Sequence, residues 1–127
     1  MPALLTQEWL DEQRERTVAL PLRPGASARI QYEVTGGPDG TVVFHTHLED
    51  GRIVVNALGS DDEADFTLLM PYDEYVAVAA GERDASVGYM QGRVKLTGNL
   101  GRMLSVLPVT SSPEWRAAMA GGTAPTA

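Results

Sequence analysis

His45 and His47 flank Thr46, and this is the first spacing in the chain that could do chemistry. Residues two apart on a strand project to the same side, so the two imidazoles stand about 6.6 Å apart along the chain. Such a pair can give a metal ion two ligands, with Asp50 or Asp65 the nearest candidates for a third. An H-x-H pair without an assigned third ligand is a weak signature. The plainer reading is a solvated strand face opposite Val42, Phe44 and Leu48, and no metal is assigned. Asp61, Asp62, Glu63 and Asp65 cluster their carboxylates, which can bind calcium or share protons. They lack EF-hand spacing and read as a solvated acidic turn. Tyr32, Tyr72 and Tyr75, with the two histidines, are the available acids and bases. No Ser-His-Asp order, P-loop or dinucleotide fingerprint accompanies them. Gly36, Gly37 and Gly40 form a hairpin turn rather than a phosphate cradle, because no helix pattern follows. The chain is therefore read as a non-enzyme, with no catalytic residue and no cofactor.

The totals narrow the partners. A chain of 127 residues suits one domain, expected over residues 1–120, with small, turn-prone residues 121–127 as a disordered tail. There are no cysteines, which excludes disulfides, thiolate metal sites and cysteine nucleophiles. The net charge of −7 disfavours nucleic acid, whose phosphates require a basic face. Residues Met1 to Leu10 lack a signal-peptide pattern, and no run approaches the ~20 apolar residues of a membrane span. The expectation is a cytoplasmic protein with no stable membrane insertion; the oligomeric state is left open.

The elements that must position any site follow from periodicity. Thr6 caps a first helix to about Arg16, with Trp9 as its anchor. Ala28, Ile30, Tyr32 and Val34 alternate with polar residues, and Val42, Phe44, Thr46 and Leu48 share one face of a second run, which marks two strands. Glu49-Asp50-Gly51 joins the second to a third strand, Arg52 to Leu58, and a fourth spans Ala64 to Met70. Connections of hairpin length imply antiparallel pairing. The period then becomes helical: Pro71 opens a helix through Tyr72, Tyr75, Val76 and Ala79, and Gly81 stops it. Asp84 is expected to cap a short turn reaching Met90, and Arg93 to Thr97 alternates as a last strand. Leu100, Met103, Leu104 and Leu107 form an amphipathic stripe expected to end at Pro108. Ser112 caps a final helix from Pro113 to Ala120 carrying Trp115 and Met119.

Apolar side chains on these elements fill one shared interior: Phe66, Leu68, Met70, Tyr75, Ala79, Met90, Leu96, Leu100, Met103, Leu104 and Leu107. The residues alone are compatible with a solid core or with a cavity wall. Gln91 is either a buried amide that orients a polar ligand head or one satisfied by backbone. Arg93, Lys95 and Arg102 form a basic patch if strand and helix lie together, either touching an anionic head group or simply exposed.

The run from Ala64 to Leu107, and above all Met90-Gln91-Gly92-Arg93-Val94-Lys95-Leu96-Thr97-Gly98-Asn99-Leu100, resembles the sterol carrier protein type-two family. The resemblance implies an α/β (α+β) fold. A mostly antiparallel five-stranded sheet is covered on one face by helices, with an apolar cavity between the layers. It also implies non-catalytic binding and transfer of a sterol, fatty acid, fatty acyl-coenzyme A or similar lipid. By position Gln91 matches a glutamine of the family's cavity region, and Met103, Leu104 and Leu107 match a helix bordering it. The eleven interior residues named above, with Gln91, thus become the expected ligand-binding set. The segment from Pro108 to Ala120 is the expected gate. The rival reading is an enzyme or pathway accessory that works on a hydrophobic intermediate in the same cavity.

Overall fold

Period-two alternation from Ala28 onward becomes a sheet in the computed structural model, which describes residues 5–38, 40–83 and 85–120. The elements are α1 (Gln7–Thr17), β1 (Ala28–Gly37), β2 (Gly40–Glu49), β3 (Arg52–Leu58), β4 (Phe66–Pro71) and α2 (Tyr72–Ala79). They continue with α3 (Ala85–Met90), β5 (Lys95–Gly98), α4 (Leu100–Thr110) and α5 (Pro113–Ala120). The expected cap at Asp84 and the expected tail from residue 121 lie outside the described residues.

The five strands lie in the order β3-β2-β1-β4-β5. Asp50 and Gly51 turn β2 into β3 with φ of 51° and 86°, a left-handed geometry that Asp and Gly tolerate. One pairing departs from the antiparallel expectation: β1 and β4 are parallel, Ile30 opposite Phe66 and Val34 opposite Met70. The strands β3 and β4 do not pair, so their short connection is not a hairpin. Residues 59–65 instead cross the outer face of β2 and β1, held by outward-pointing side chains. His45 Nδ1 lies 2.9 Å from the Gly59 carbonyl, Gln31 Oε1 accepts from the Asp61 N–H at 2.9 Å, and Arg29 Nε donates to Asp61 at 2.9 Å. That guanidinium holds the Asp61 carboxyl below its usual range.

A bulge between β2 and β3 resets the inward face. Leu48 opposes Ile53 and Thr46 opposes Asn56, so Ile53 and Asn56 are both buried although three residues apart. The edge this leaves on β3 is covered by α1. Gln7 accepts from the Leu58 N–H at 3.1 Å and donates to the Asn56 carbonyl at 2.9 Å, and Thr17 Oγ1 accepts from the Ile53 N–H at 3.1 Å. Side chains here satisfy backbone groups that a neighbouring strand would otherwise pair. The thin apolar stripe of α1 is thus supplemented by buried Gln13 and Thr17. Thr6 caps α1, its Oγ1 accepting from the Trp9 N–H at 3.3 Å.

The core lies between the inner sheet face and the helices, and Trp9, Leu10, Val34, Phe44, Leu48, Met70, Val94 and Val106 are fully buried in it. Pro108 does not end α4, which continues to Thr110. Pro108 is exposed, so the hydrogen bond it forfeits is on the solvent side. The last turn is retained because Val106 and Val109 are buried.

Candidate functional site

The inner face of the sheet and the helical layer do not close on each other. Between them is a cavity of about 90 Å³, several times the ~10–15 Å³ that one water molecule requires. Its floor is the inward set of four strands: Ile30 and Tyr32 of β1, Phe44 and Thr46 of β2, Ile53 of β3, and Phe66, Leu68 and Met70 of β4. Within a strand these residues are two apart because alternate side chains share a face. Tyr75, Val78 and Ala79 of α2 form part of the roof. Met103, Val106, Leu107 and Thr110 of α4 and Trp115, Arg116 and Met119 of α5 complete it, with Gln13 of α1 and Arg83 beyond α2.

Aromatic packing stiffens the floor. Tyr32 and Phe44 are cross-strand partners whose rings stack at 4.6 Å and 12°. Phe44 meets Tyr75 edge-on at 5.8 Å and 77°, which ties sheet to roof. A satisfied polar network closes one side. Asn56 Nδ2 donates to the Leu10 carbonyl at 2.9 Å and to Gln13 Oε1 at 3.3 Å, while Thr46 Oγ1 donates to Asn56 Oδ1 at 2.7 Å.

The expected binding residues divide. Phe66, Leu68, Met70, Tyr75, Ala79, Met103 and Leu107 lie on the cavity wall. Met90, Gln91, Leu96, Leu100 and Leu104 do not. Met90, the last residue of α3, is 75% exposed. Gln91 follows it into an exposed turn, where its Oε1 accepts from the Arg93 guanidinium. Leu96, opposite Leu68 on edge strand β5, packs against the core from the side. On α4 the inward stripe is Met103, Val106, Leu107 and Thr110, which leaves Leu100 40% and Leu104 53% exposed. The expected stripe lies too close to the helix start, because Pro108 reads as a stop when only the sequence is considered.

The remaining chemical candidates are dispersed. His45 and His47 belong to the outer face, and among the described residues no three His, Cys, Asp or Glu side chains could hold a metal ion. Arg93 leaves the expected basic patch to pair with Glu74 at 2.9 Å, and Arg102 approaches Asp65 at 4.0 Å. Of the tyrosines, burial pushes the Tyr75 phenol up to about 12, against the lowering effect of bonds from Trp9 and Gln13. Burial, with Tyr75 nearby, raises Tyr32 further still. Both phenols therefore hold their protons at neutral pH, and the described residues that line the cavity include no His, Asp or Glu. This arrangement does not favour the rival enzyme reading.

Sequence reasoning missed Ile30, Phe44, Thr46 and Ile53 as cavity residues and named Tyr32 only as an acid or base of the rival reading, although alternation already puts all but Ile53 on inward faces. It marks Trp115 and Met119 only as a helical pair. Arg83 and Arg116 carry no local signal. Glu74 was also missed. It is 1% exposed, and its Oε1 accepts from Arg83 at 2.5 Å and Arg93 at 2.9 Å.

Comparison with known proteins agrees with this architecture. The family model described as the SCP-2 sterol transfer family matches residues 7–109. Human sterol carrier protein 2 is 28% identical over 78 residues, which is 61% of this chain and 14% of that protein's length. A solution structure from Thermus thermophilus, described as possibly a sterol carrier protein, superimposes with a TM-score of 0.78 at 16% identity, covering 98% of this chain and 93% of that one. A crystal structure of sterol carrier protein 2 gives 0.74 at 16% identity, covering 93% and 98%. At those identities the superpositions establish the fold: a mixed, mostly antiparallel five-stranded sheet with helices.

Proposed function

Because the chain belongs to the SCP-2 sterol transfer family, we propose that it binds a hydrophobic small molecule in this cavity and transfers it without chemical change. The candidates are a sterol, a fatty acid, a fatty acyl-coenzyme A ester or a similar lipid. The observation that carries the reading is the unfilled apolar space between sheet and helices, lined by Phe44, Phe66, Leu68, Met70 and Met103. Burying about ten methylenes at about 0.8 kcal/mol each gives roughly 8 kcal/mol gross. Micromolar affinity needs about 8 kcal/mol net, so a longer chain is required to cover the costs of association.

Such a chain needs more room than about 90 Å³, and α5 is the element that supplies it in this proposal. It is short, it contributes Trp115 and Met119 to the wall, and it packs on the helices α1, α2 and α4. Outward movement of α5 gates access, and residues 1–120 act as one lipid-binding unit. We place the protein in the cytoplasm, acting on free lipid and at membrane surfaces without stable insertion. No helix among the described residues is long and apolar enough to cross a membrane.

Displacement of a fluorescent fatty acid from delipidated protein by sterols, acyl-coenzyme A and free acids tests the proposal. Saturable displacement by at least one class is expected. Absence of uptake of every amphiphile overturns it.

A further inference from the structure

Most polar side chains on the cavity wall are already bonded within the protein. Thr46 and Gln13 bond to Asn56, Tyr75 accepts from Trp9, and Thr110 donates to the Val106 carbonyl. Arg83 and Arg116 are bound to Glu74 and to the Gly81 carbonyl. The Tyr32 hydroxyl and the Trp115 indole N–H have no such partner among the described residues. Trp115 is on α5, whereas Tyr32 is on β1, the middle strand of the sheet. Stacking on Phe44 at 4.6 Å holds the Tyr32 ring and so fixes the place of its hydroxyl.

Glu74 Oε2 and Arg116 Nε are also unpartnered, but they have no accessible surface. The Tyr32 hydroxyl is not sealed in this way, and the residue as a whole is only partly buried. Protein nevertheless surrounds it closely enough that burial raises its phenol above the usual range. At an inward position of the middle strand, surface that survives such burial faces the cavity.

A phenol that keeps its proton is a neutral donor. Without an acceptor inside the protein it is costly, and a ligand oxygen removes that cost. The surroundings decide which kind of oxygen. Phe44 and Leu68 are its cross-strand neighbours, and Tyr75 on the roof is a second protonated phenol. An anionic head among these groups would give up its hydration for one hydrogen bond, whereas a carbonyl oxygen gives up far less.

We propose that the Tyr32 hydroxyl donates to a neutral carbonyl oxygen, of a ketone or an ester, carried on an apolar guest, and so selects oxygenated neutral lipids over bare hydrocarbons and over ions. This rests on the lipid-binding reading and adds a specificity-determining residue to it. The same hydroxyl contributes nothing to the empty fold, which sets Tyr32 apart from Tyr75.

Displacement of a fluorescent probe from delipidated protein by methyl dodecanoate, tridecane and dodecanoate at neutral pH tests it in wild type, Tyr32→Phe and Trp115→Phe. Tyr32→Phe should weaken the ester by about fivefold or more and leave the other two within about twofold. Its Tm should be no lower than that of wild type. Infrared spectra of the bound ester should place the carbonyl stretch at lower frequency in wild type than in Tyr32→Phe, a signature that altered packing alone does not produce. Trp115→Phe should leave that frequency unchanged. Equal weakening of the ester and either other compound by Tyr32→Phe, or a carbonyl stretch indifferent to that substitution, would overturn the proposal and leave the lipid-binding reading intact. A marked fall in Tm would reveal a protein partner for the hydroxyl and overturn it as well. Wild type that binds none of the three compounds would overturn both readings.

Discussion

The hydroxyl of Tyr75 receives the indole N–H of Trp9 at 3.2 Å, a buried bond that joins α1 to α2 beside the cavity. Tyr75 is also a cavity-wall residue, so the contact that fixes its ring supports both the fold and the shape of the site. Replacing Tyr75 with Phe keeps the edge-on packing against Phe44 but removes the acceptor from a fully buried donor. An unsatisfied buried N–H costs about 1–3 kcal/mol. Thermal denaturation of Tyr75→Phe should show a Tm several degrees below wild type, with an unchanged urea m-value.

The same residue makes stability sensitive to alkali. An unfolded tyrosine ionises near about pH 10, and burial holds folded Tyr75 up to about 12. Its folded pKa is raised, so its stabilising contribution is fully present below about pH 10 and is lost as pH climbs from there towards 12. Tyr32 is raised in the same direction and adds to the loss. Urea unfolding at successive pH values should show stability falling steeply above about pH 10, and Tyr32→Phe should make that fall shallower.

Glu74 organises the ground beneath the arginines. Changing it to Gln leaves Arg83 and Arg93 without their counter-ion. Removing one partner of a buried pair costs up to about 3–5 kcal/mol, and because both arginines are partly exposed about 2–3 kcal/mol is expected. Gly88 tests the same spot from the other side. A Cβ there would come within 2.9 Å of Glu74 Oε2 and 2.8 Å of Val94 Cγ2. Gly88→Ala should therefore also lower stability, and the double variant should lose less than the sum of the two. Additive losses in a double-mutant cycle would contradict a shared site.

Much of this arrangement is legible in residue order, for identifiable reasons. Strand β3 reads as Arg52 to Leu58 because turn chemistry at Asp50-Gly51 sets its start. Alternation puts Phe44 and Thr46 inward because a strand repeats every two residues. The parallel pairing of β1 with β4 is not legible: it depends on residues 59–65 crossing the sheet on Gln31, His45 and Arg29, and no local pattern encodes a crossing. The α4 stripe is misplaced towards the helix start because Pro108 reads as a stop unless buried Val106 and Val109 hold the next turn. Arg83 and Arg116 are 33 residues apart in sequence (116 − 83) and meet at the cavity only through the packing of α5.

The distinction between wall and surface residues can be tested with one matched pair of variants. Ala79 is a buried wall residue of the cavity, while Leu104 is a large apolar side chain that lies outside it. Ala79→Phe should reduce lipid affinity by about tenfold or more. Its cost in stability should be no more than about 1–3 kcal/mol, the usual cost of adding volume to a packed interior. Leu104→Ala should leave affinity within about twofold, and its stability cost should be small because the residue is already half in solvent. Fluorescent-ligand titration and thermal denaturation of both variants would check this. If Leu104→Ala weakened binding more than Ala79→Phe, the ligand would have to lie on the outer surface of α4 rather than between α2 and the sheet.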